Sequence, residues 1–181
     1  PDPRAVLMPE AIKVSRSLDK SIRRADYAAT LDQAFPEVLQ HCSGPRSRSR
    51  GTWLGEEMRE AYVQLHARGF AHSVEVWRGG SLIGGLYGVA LGRVFFGESM
   101  FSHANDASKI ALYWLSRQLV NWKFGLIDCQ VGSDHLKSLG ATEVSRERFL
   151  NLLRVAVGQP PRTGRWRFDV SVPSAREHIP A

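Results

Sequence analysis

Cysteine is scarce in this sequence. Its two residues, Cys42 and Cys129, share no CxxC or Cys/His spacing, which argues against a zinc ribbon and against a disulfide framework. We interpret both as reduced core thiols of a cytosolic protein. The six histidines also lack the spacing of a metal site, so no bound metal is expected.

Long hydrophobic runs are absent as well. No apolar run reaches the ~18 residues that a membrane-spanning helix needs. Residues 1–10 carry charges and prolines where a secretory signal would be apolar. We therefore expect no membrane partner and a cytoplasmic location.

Acidic residues are outnumbered by basic ones. The 181 residues include 24 Lys and Arg against 18 Asp and Glu, which gives a net charge of +6 and a pI near 9.7. This excess favours an anionic partner, although many enzymes are as basic. The length suits one domain, or one domain with a tail, and a hydrophobic content of 43% is enough for a core.

The stretch Gly84–Ser102 contains two β-branched and aromatic runs around a Gly92-Arg93 turn, a pattern that predicts a β-hairpin. The second run carries one carboxylate, Glu98. A charge inside a central strand is costly unless another group pairs with it. Glu98 is therefore either a buried acid satisfied by an arginine or by backbone amides, or a functional acid.

The first helix is predicted over Leu18–Ala25, capped by Ser17 and preceded by a short strand at Ile12–Ser15. At 100° per residue its apolar and basic residues separate onto two faces. That basic face is either a solvated surface or a phosphate-binding surface. Its four cations are Arg16, Lys20, Arg23 and Arg24.

The remaining periodicity predicts alternating strands and helices. Strands are expected at Tyr27–Leu31, Ala71–Arg78, Leu82–Leu91, 93–101, Gly125–Val131 and Thr142–Val144. Helices are expected at Asp32–Cys42, Gly55–Gly69, Ala107–Trp122, Ser133–Leu139 and Glu147–Val157. Ser43–Gly51 is an arginine-containing loop, and Gly158–Ala181 is expected to be a tail or a loosely docked edge.

This order predicts an α+β or mixed α/β fold. A three-stranded antiparallel meander, a helical crossover and a parallel strand resemble the fold of the GCN5-related N-acetyltransferases. Pairing of strands 93–101 and 125–131 would bring Glu98 beside Asp128 and Gln130. The strand–helix junction SHANDASK contains no glycine, and Asp106 would repel a phosphate there, so the coenzyme A signal is missing.

The segments PDPR, GTW, HSVEVW, GGLYGVALG, FFGESMFS, NDASK, LIDCQV and DHLKSLGA together resemble the bacterial leucyl/phenylalanyl-tRNA–protein transferases over residues 1–153. The resemblance implies transfer of Leu or Phe, and Met weakly, from aminoacyl-tRNA to the N-terminal amine of proteins that begin with Arg or Lys. The product would enter the bacterial N-degron pathway. Aminoacyl-tRNA would be a substrate that replaces coenzyme A, so no cofactor is expected.

The resemblance also assigns roles to individual residues. Asp128 and Gln130 match the proposed catalytic pair of the family, and Glu98 lies on its substrate-cleft strand. Trp53 and Phe95 would lie near the terminal adenosine of the tRNA. The basic residues of the first helix match the family's acceptor-stem cluster. The aminoacyl pocket would be lined by Leu86, Met100, Leu115, Leu119 and Ile127.

The same resemblance suggests a domain division. Residues 1–160 would form the acetyltransferase-like aminoacyltransferase domain and residues 161–181 a C-terminal tail. The small N-terminal subdomain of the family is expected to be absent, and the protein is expected to be a monomer. Two alternatives stay open: a coenzyme A-dependent N-acetyltransferase, and a tRNA-binding module without catalytic activity.

Overall fold

The computed structural model describes residues 1–43 and 55–173, which form one seven-stranded sheet with helices on both faces. The sheet order is β2-β3-β4-β5-β6-β1-β7, and every neighbouring pair is antiparallel except β5 and β6, which are parallel. The strands are β1 (Arg4–Leu7), β2 (Ala28–Leu31), β3 (Ala71–Arg78), β4 (Ser81–Leu91), β5 (Val94–Ser102), β6 (Leu126–Gln130) and β7 (Thr142–Val144).

The helices cover the sheet in two layers. They are α1 (Arg16–Arg24), α2 (Phe35–Cys42), α3 (Glu56–Ala67), α4 (Ala107–Asn121), α5 (Asp134–Ser138) and α6 (Arg146–Val157). Successive side chains of a strand point to opposite faces. Leu86 of β4 accordingly joins the core cluster that contains α1 and α4, and Tyr87 joins the cluster that contains α2 and α3. A third cluster packs α6 against β5 and β6.

The predicted fold class is confirmed. The antiparallel meander β3-β4-β5 is followed by the crossover helix α4 and the parallel strand β6, the arrangement of a GCN5-related N-acetyltransferase-like fold. The Gly92-Arg93 turn joins β4 to β5, with Gly92 at φ +56°, where glycine is favoured. Strands β3 and β7 have the predicted bounds.

The N-terminal region differs from the prediction. Ile12–Ser15 is not a strand; Arg4–Leu7 is, and it lies between β6 and β7. The prolines at positions 3 and 9 flank this segment without removing any of its N–H donors, so it can pair on both sides. Helix α1 begins at Arg16 because the hydroxyl of Ser15, not Ser17, accepts from the Leu18 N–H at 3.2 Å.

The segment 159–173 does not dock loosely, contrary to the expectation for the chain beyond Gly158. Trp166 is only 1% exposed and stacks on His72 with a centroid distance of 3.6 Å. Its backbone N–H donates to the buried carboxylate of Asp32 at 2.7 Å. The backbone N–H of Asp169 donates to Gln118 Oε1 at 2.7 Å. The segment is therefore part of the core, while the proposed domain boundary at residue 160 stays a prediction.

Three predicted features lie wholly or partly outside the described residues: Trp53, the arginine loop after its first residue, Ser43, and the C-terminal tail beyond residue 173. Within residues 1–43 and 55–173, no helix is both long and apolar enough to cross a membrane.

Candidate active site

Glu98 lies in a β-bulge at the centre of the sheet. In the β4–β5 ladder Tyr87 pairs with Ser99 and Gly88 pairs with Gly97, so Glu98 is the extra residue on β5. Bulges interrupt the pleat and redirect one side chain, and they are frequent beside functional sites. Here the bulge brings the half-buried Glu98 to the wall of a cavity.

Two groups from outside β5 meet this carboxylate. The Tyr62 hydroxyl of α3 hydrogen-bonds to Glu98; burial, followed by the charge of Glu98 and this bond, raises the pKa of Tyr62 above its ordinary value. Arg4 of β1 interacts with Glu98 electrostatically. Glu98 thus lies between a neutral donor and a cation.

Asp128 of β6 is completely buried and is held by Arg4. Arg4 Nε donates to Oδ1 at 2.9 Å and Nη2 donates to Oδ2 at 2.6 Å, a bidentate pair. This hydrogen bond is the main cause that raises the pKa of Arg4, so the guanidinium is charged. Asp128 does not cap the following helix, because Ser133 has that role and accepts from the Leu136 N–H.

Gln130 ends β6 in a left-handed conformation, with φ +63°. Its backbone N–H donates to Asp128 Oδ1 at 2.9 Å, and its side-chain Nε2 donates to the carbonyl of Gly97 at 3.1 Å. Gly97 precedes Glu98 and lines the cavity. The fold therefore brings Glu98, Asp128 and Gln130 together, although only Glu98 among the three lines the cavity.

The cavity has a volume of about 320 Å³ and a mainly apolar wall, which is at the small end of the range for ligand sites. Its wall combines residues of β4, β5, α4, β6 and the start of α5. They are Leu86, Tyr87, Phe95, Gly97, Glu98, Ser99, Met100, Leu112, Ile127, Cys129, Ser133, His135 and Leu136.

The structure brings together only part of the predicted aminoacyl pocket. Leu86, Met100 and Ile127 line the cavity, but Leu115 and Leu119 do not. Both leucines are 0% exposed and pack in the core beneath α4. The helix faces the cavity one turn earlier, at Leu112. Periodicity identifies the buried side of a helix but not which of its turns borders a void.

Cys129 contributes a thiol to the same wall. Burial, with a smaller contribution from the charge of Asp128, raises its pKa to about 12, so it is protonated at neutral pH. The sulfur therefore acts as an apolar wall atom and not as a nucleophile.

Of the two aromatic residues assigned to the tRNA end, the structure describes only Phe95. Phe95 is nearly completely buried and forms part of the cavity wall, with its ring 6.1 Å from that of Trp166. Trp53 lies outside the described residues. Their contact with adenosine stays a prediction.

All four cations of α1 are exposed, as a binding face requires. Arg23 pairs with Asp19 at 2.8 Å and Arg24 with Asp26 at 3.3 Å. Exposed pairs of this kind are loosely held, so the two guanidinium groups can exchange a carboxylate for a phosphate.

The N-terminus of α4 is occupied by protein groups. Asp106 accepts from Ser21 Oγ of α1 and from Lys109 Nζ, both at 2.9 Å. The bond from Lys109 is the main cause that lowers the pKa of Asp106, so its carboxylate is charged at neutral pH. A negative charge at this position repels a pyrophosphate, which disfavours coenzyme A as the donor.

Arg4, Tyr62 and Leu112 were not predicted from the sequence as parts of the site. Arg4 follows two prolines within the first three residues and resembles a turn residue. A usable signal was the apolar run Ala5–Leu7, which is typical of a buried strand and would have brought Arg4 to the sheet.

Within residues 1–43 and 55–173, no cluster of three or more His, Cys, Asp or Glu could hold a metal ion.

Comparison with known proteins gives a consistent result. The sequence profile of the family described as leucyl/phenylalanyl-tRNA protein transferase matches residues 6–154. Several curated proteins named leucyl/phenylalanyl-tRNA–protein transferase are similar to this chain. That of Nitrosomonas europaea is 54% identical over 98% of this chain and 75% of its own length. That of Desulforapulum autotrophicum is 53% identical over 93% of this chain and 74% of its own length.

The fold also has a counterpart among solved structures. The L-PGS structure from Bacillus licheniformis matches with a TM-score of 0.50 over 88% of this chain and 66% of that chain. The sequence identity is 10%, so the likeness concerns the fold alone. The chain spans about three quarters of the length of the curated relatives above.

Proposed function

This chain belongs to the leucyl/phenylalanyl-tRNA protein transferase family, and we propose that it transfers Leu or Phe, and Met weakly, from aminoacyl-tRNA to the N-terminal amine of proteins that begin with Arg or Lys. The observation that carries the proposal is the small apolar cavity with one carboxylate, Glu98, in its wall. The cavity accepts the aminoacyl side chain, and Glu98 faces the cationic acceptor.

The reaction needs little activation. The aminoacyl ester is already reactive, and an N-terminal amine has a pKa of about 7.7–8.0, so a fraction is neutral at pH 7. The amine nitrogen attacks the ester carbonyl, forming a C–N amide bond. The bond from that carbonyl to the 3′ ribose oxygen breaks, and the proton lost by the amine ends on the ribose oxygen, directly or through water.

Positioning is then the main task of the site. The Oε1 atom of Gln130 accepts from the attacking amine, since the other end of its amide donates to Gly97. Asp128 orients Gln130 through its backbone N–H and touches no substrate, so it is a positioning residue. Both carboxylate oxygens of Asp128 already accept from Arg4, which fits a role in positioning.

Specificity for the donor comes from the shape of the cavity. An apolar wall distinguishes side chains by only about 1–3 kcal/mol per methylene. We therefore expect a graded preference among Leu, Phe and Met, and exclusion of β-branched and polar side chains.

The tRNA binds across the exposed cations of α1. Binding would release counterions from the tRNA phosphates, which gives this contact a strong dependence on salt. Ser21 of the same helix hydrogen-bonds to Asp106 at the start of α4, which links the cationic face to the helix that contributes Leu112 to the cavity wall.

The proposed activity also bears on the cofactor, the oligomeric state and the location of the protein. The reaction uses no cofactor, since aminoacyl-tRNA supplies the activated group. The protein acts as a monomer in the cytoplasm, where charged tRNA and new protein N-termini are available, and its products are marked for degradation through the N-degron pathway.

The test is transfer of labelled Leu from charged tRNA to peptides that differ only in their first residue. We expect transfer to Arg- and Lys-starting peptides, little transfer to Ala- or Glu-starting ones, and a rate that falls steeply with salt. Binding of charged tRNA without transfer would instead identify a non-catalytic tRNA-binding module, and saturable binding of acetyl-coenzyme A would identify an acetyltransferase.

A further inference from the structure

Arg4 is held on two sides at the end of β1. Its guanidinium makes the two hydrogen bonds to Asp128 described above, and it lies over the ring of Phe149 on α6, 5.0 Å from the centroid. Strand β1 itself is fixed between β6 and β7. The position of the Arg4 fork is thus determined by three elements of the fold.

One oxygen atom connects Arg4 to Gln130. Asp128 Oδ1 accepts from Arg4 Nε and from the Gln130 N–H, both at 2.9 Å. A rotation of the carboxylate would therefore alter both contacts. Gln130 has φ +63°, which is uncommon outside glycine and persists only where neighbours hold it. The Asp128 bond is one such restraint, and the bond from Gln130 Nε2 to Gly97 is the other.

We propose that Arg4 is a positioning residue of the transfer reaction, which sets the orientation of Asp128 and through it holds the Gln130 amide against Gly97, a residue of the cavity wall. The inference rests on the proposed function, because it assigns a role within that reaction. The bidentate geometry is essential to it. Lysine is a point charge without a planar fork, so it keeps the ion pair but does not fix both carboxylate oxygens.

A purely structural role is the competing explanation. A buried ion pair by itself says little about net stability. If Arg4 has only a structural role, its substitution lowers the melting temperature and leaves the active site of the folded fraction unchanged. If Arg4 is a positioning residue, its substitution lowers the turnover of the folded protein and loosens the hydrogen bonding of the Gln130 side chain.

The test compares Arg4→Lys with Arg78→Lys. Arg78 also bonds to an aspartate through two nitrogens, since its Nε and Nη2 contact the carbonyl and carboxylate of Asp26, but it lies at the surface end of β3. We expect kcat to fall about 100-fold in Arg4→Lys, as misplacement of about 1 Å can cause. KM should stay within about twofold, and Arg78→Lys should match the wild type.

A second readout does not depend on activity. The side-chain NH₂ of Gln130 donates to Gly97, so its protons should exchange slowly with solvent. We expect faster exchange of this group by NMR in Arg4→Lys, and no change in Arg78→Lys. Asp128→Asn should produce the same change, and the double variant Arg4→Lys/Asp128→Asn should be no worse in kcat than Asp128→Asn alone.

The outcomes separate the two proposals. If wild-type protein transfers nothing, the proposed function fails, and the exchange of the Gln130 amide still decides whether Arg4 positions it. If Arg4→Lys keeps both the wild-type kcat and slow exchange, the positioning role is wrong. The positioning role is also wrong if Arg4→Lys loses thermal stability but keeps the wild-type kcat and exchange rate.

Discussion

Trp166→Ala should destabilise the protein strongly, because the C-terminal segment is part of the core. The ring stacks on His72 and contacts the rings of Trp122 and Phe124, with centroids 4.9 and 5.7 Å away. Removing a buried Trp side chain costs about 3–5 kcal/mol. For 181 residues the unfolding entropy is about 0.4 kcal/mol per kelvin, so the melting temperature should fall by about 10 °C.

Differential scanning calorimetry measures this shift, and the neighbouring Arg167→Ala is the matched control. Arg167 is exposed, so its variant should change the free energy of unfolding by no more than about 0.5 kcal/mol. If Trp166→Ala melts at the temperature of Arg167→Ala, the packing of Trp166 does not stabilise the core.

Three further perturbations test other parts of the site. Glu98→Gln removes the negative charge of the cavity wall. The preference for Arg- over Ala-starting peptides, measured as a ratio of kcat/KM values, should therefore fall about tenfold. An unchanged ratio would contradict the role of Glu98 in recognising the cationic acceptor. Lys20→Glu with Arg24→Glu should weaken tRNA binding and reduce the salt slope by about 2, whereas Arg154→Glu on α6 should do neither. Asp106→Asn should cost about 1 kcal/mol near pH 7. Because the pKa of Asp106 is lowered from 3.8, its contribution is present above that pH and disappears as the pH falls through the folded value; a loss that is the same at about pH 2 would refute the Lys109 contact as its origin.

Local patterns predicted most of the sheet. The alternation of Ala71–Arg78 and the glycine at position 92 define β3 and the β4–β5 turn without any tertiary information. The parallel pairing of β5 and β6 also followed, because a helix of this length between two strands returns the chain in the same direction. These features depend on neighbours in sequence, which is why they were predictable.

The contacts of the site depend on distant residues, and there the predictions were incomplete. Arg4 and Asp128 are 124 positions apart, and no periodicity relates them. The bulge at Glu98 is visible only once the β4–β5 register is known. The assignment of Leu115 and Leu119 has the same origin, since the sequence does not show which turn of α4 borders the cavity. The interpretation of 159–173 failed because its anchors, the buried Trp166 and the bond from the Asp169 N–H to Gln118, follow no periodic pattern in the sequence.

We propose that the cavity lined by Leu86, Leu112 and Ile127 holds the side chain of the transferred amino acid. A crystal structure of the protein with a non-hydrolysable phenylalanyl-adenosine analogue would show where this side chain binds. We expect the phenyl ring inside the cavity, within about 4 Å of these three residues. A ring bound elsewhere, such as the groove between α2 and α3 at Pro36 and Val63, with this cavity empty, would contradict it.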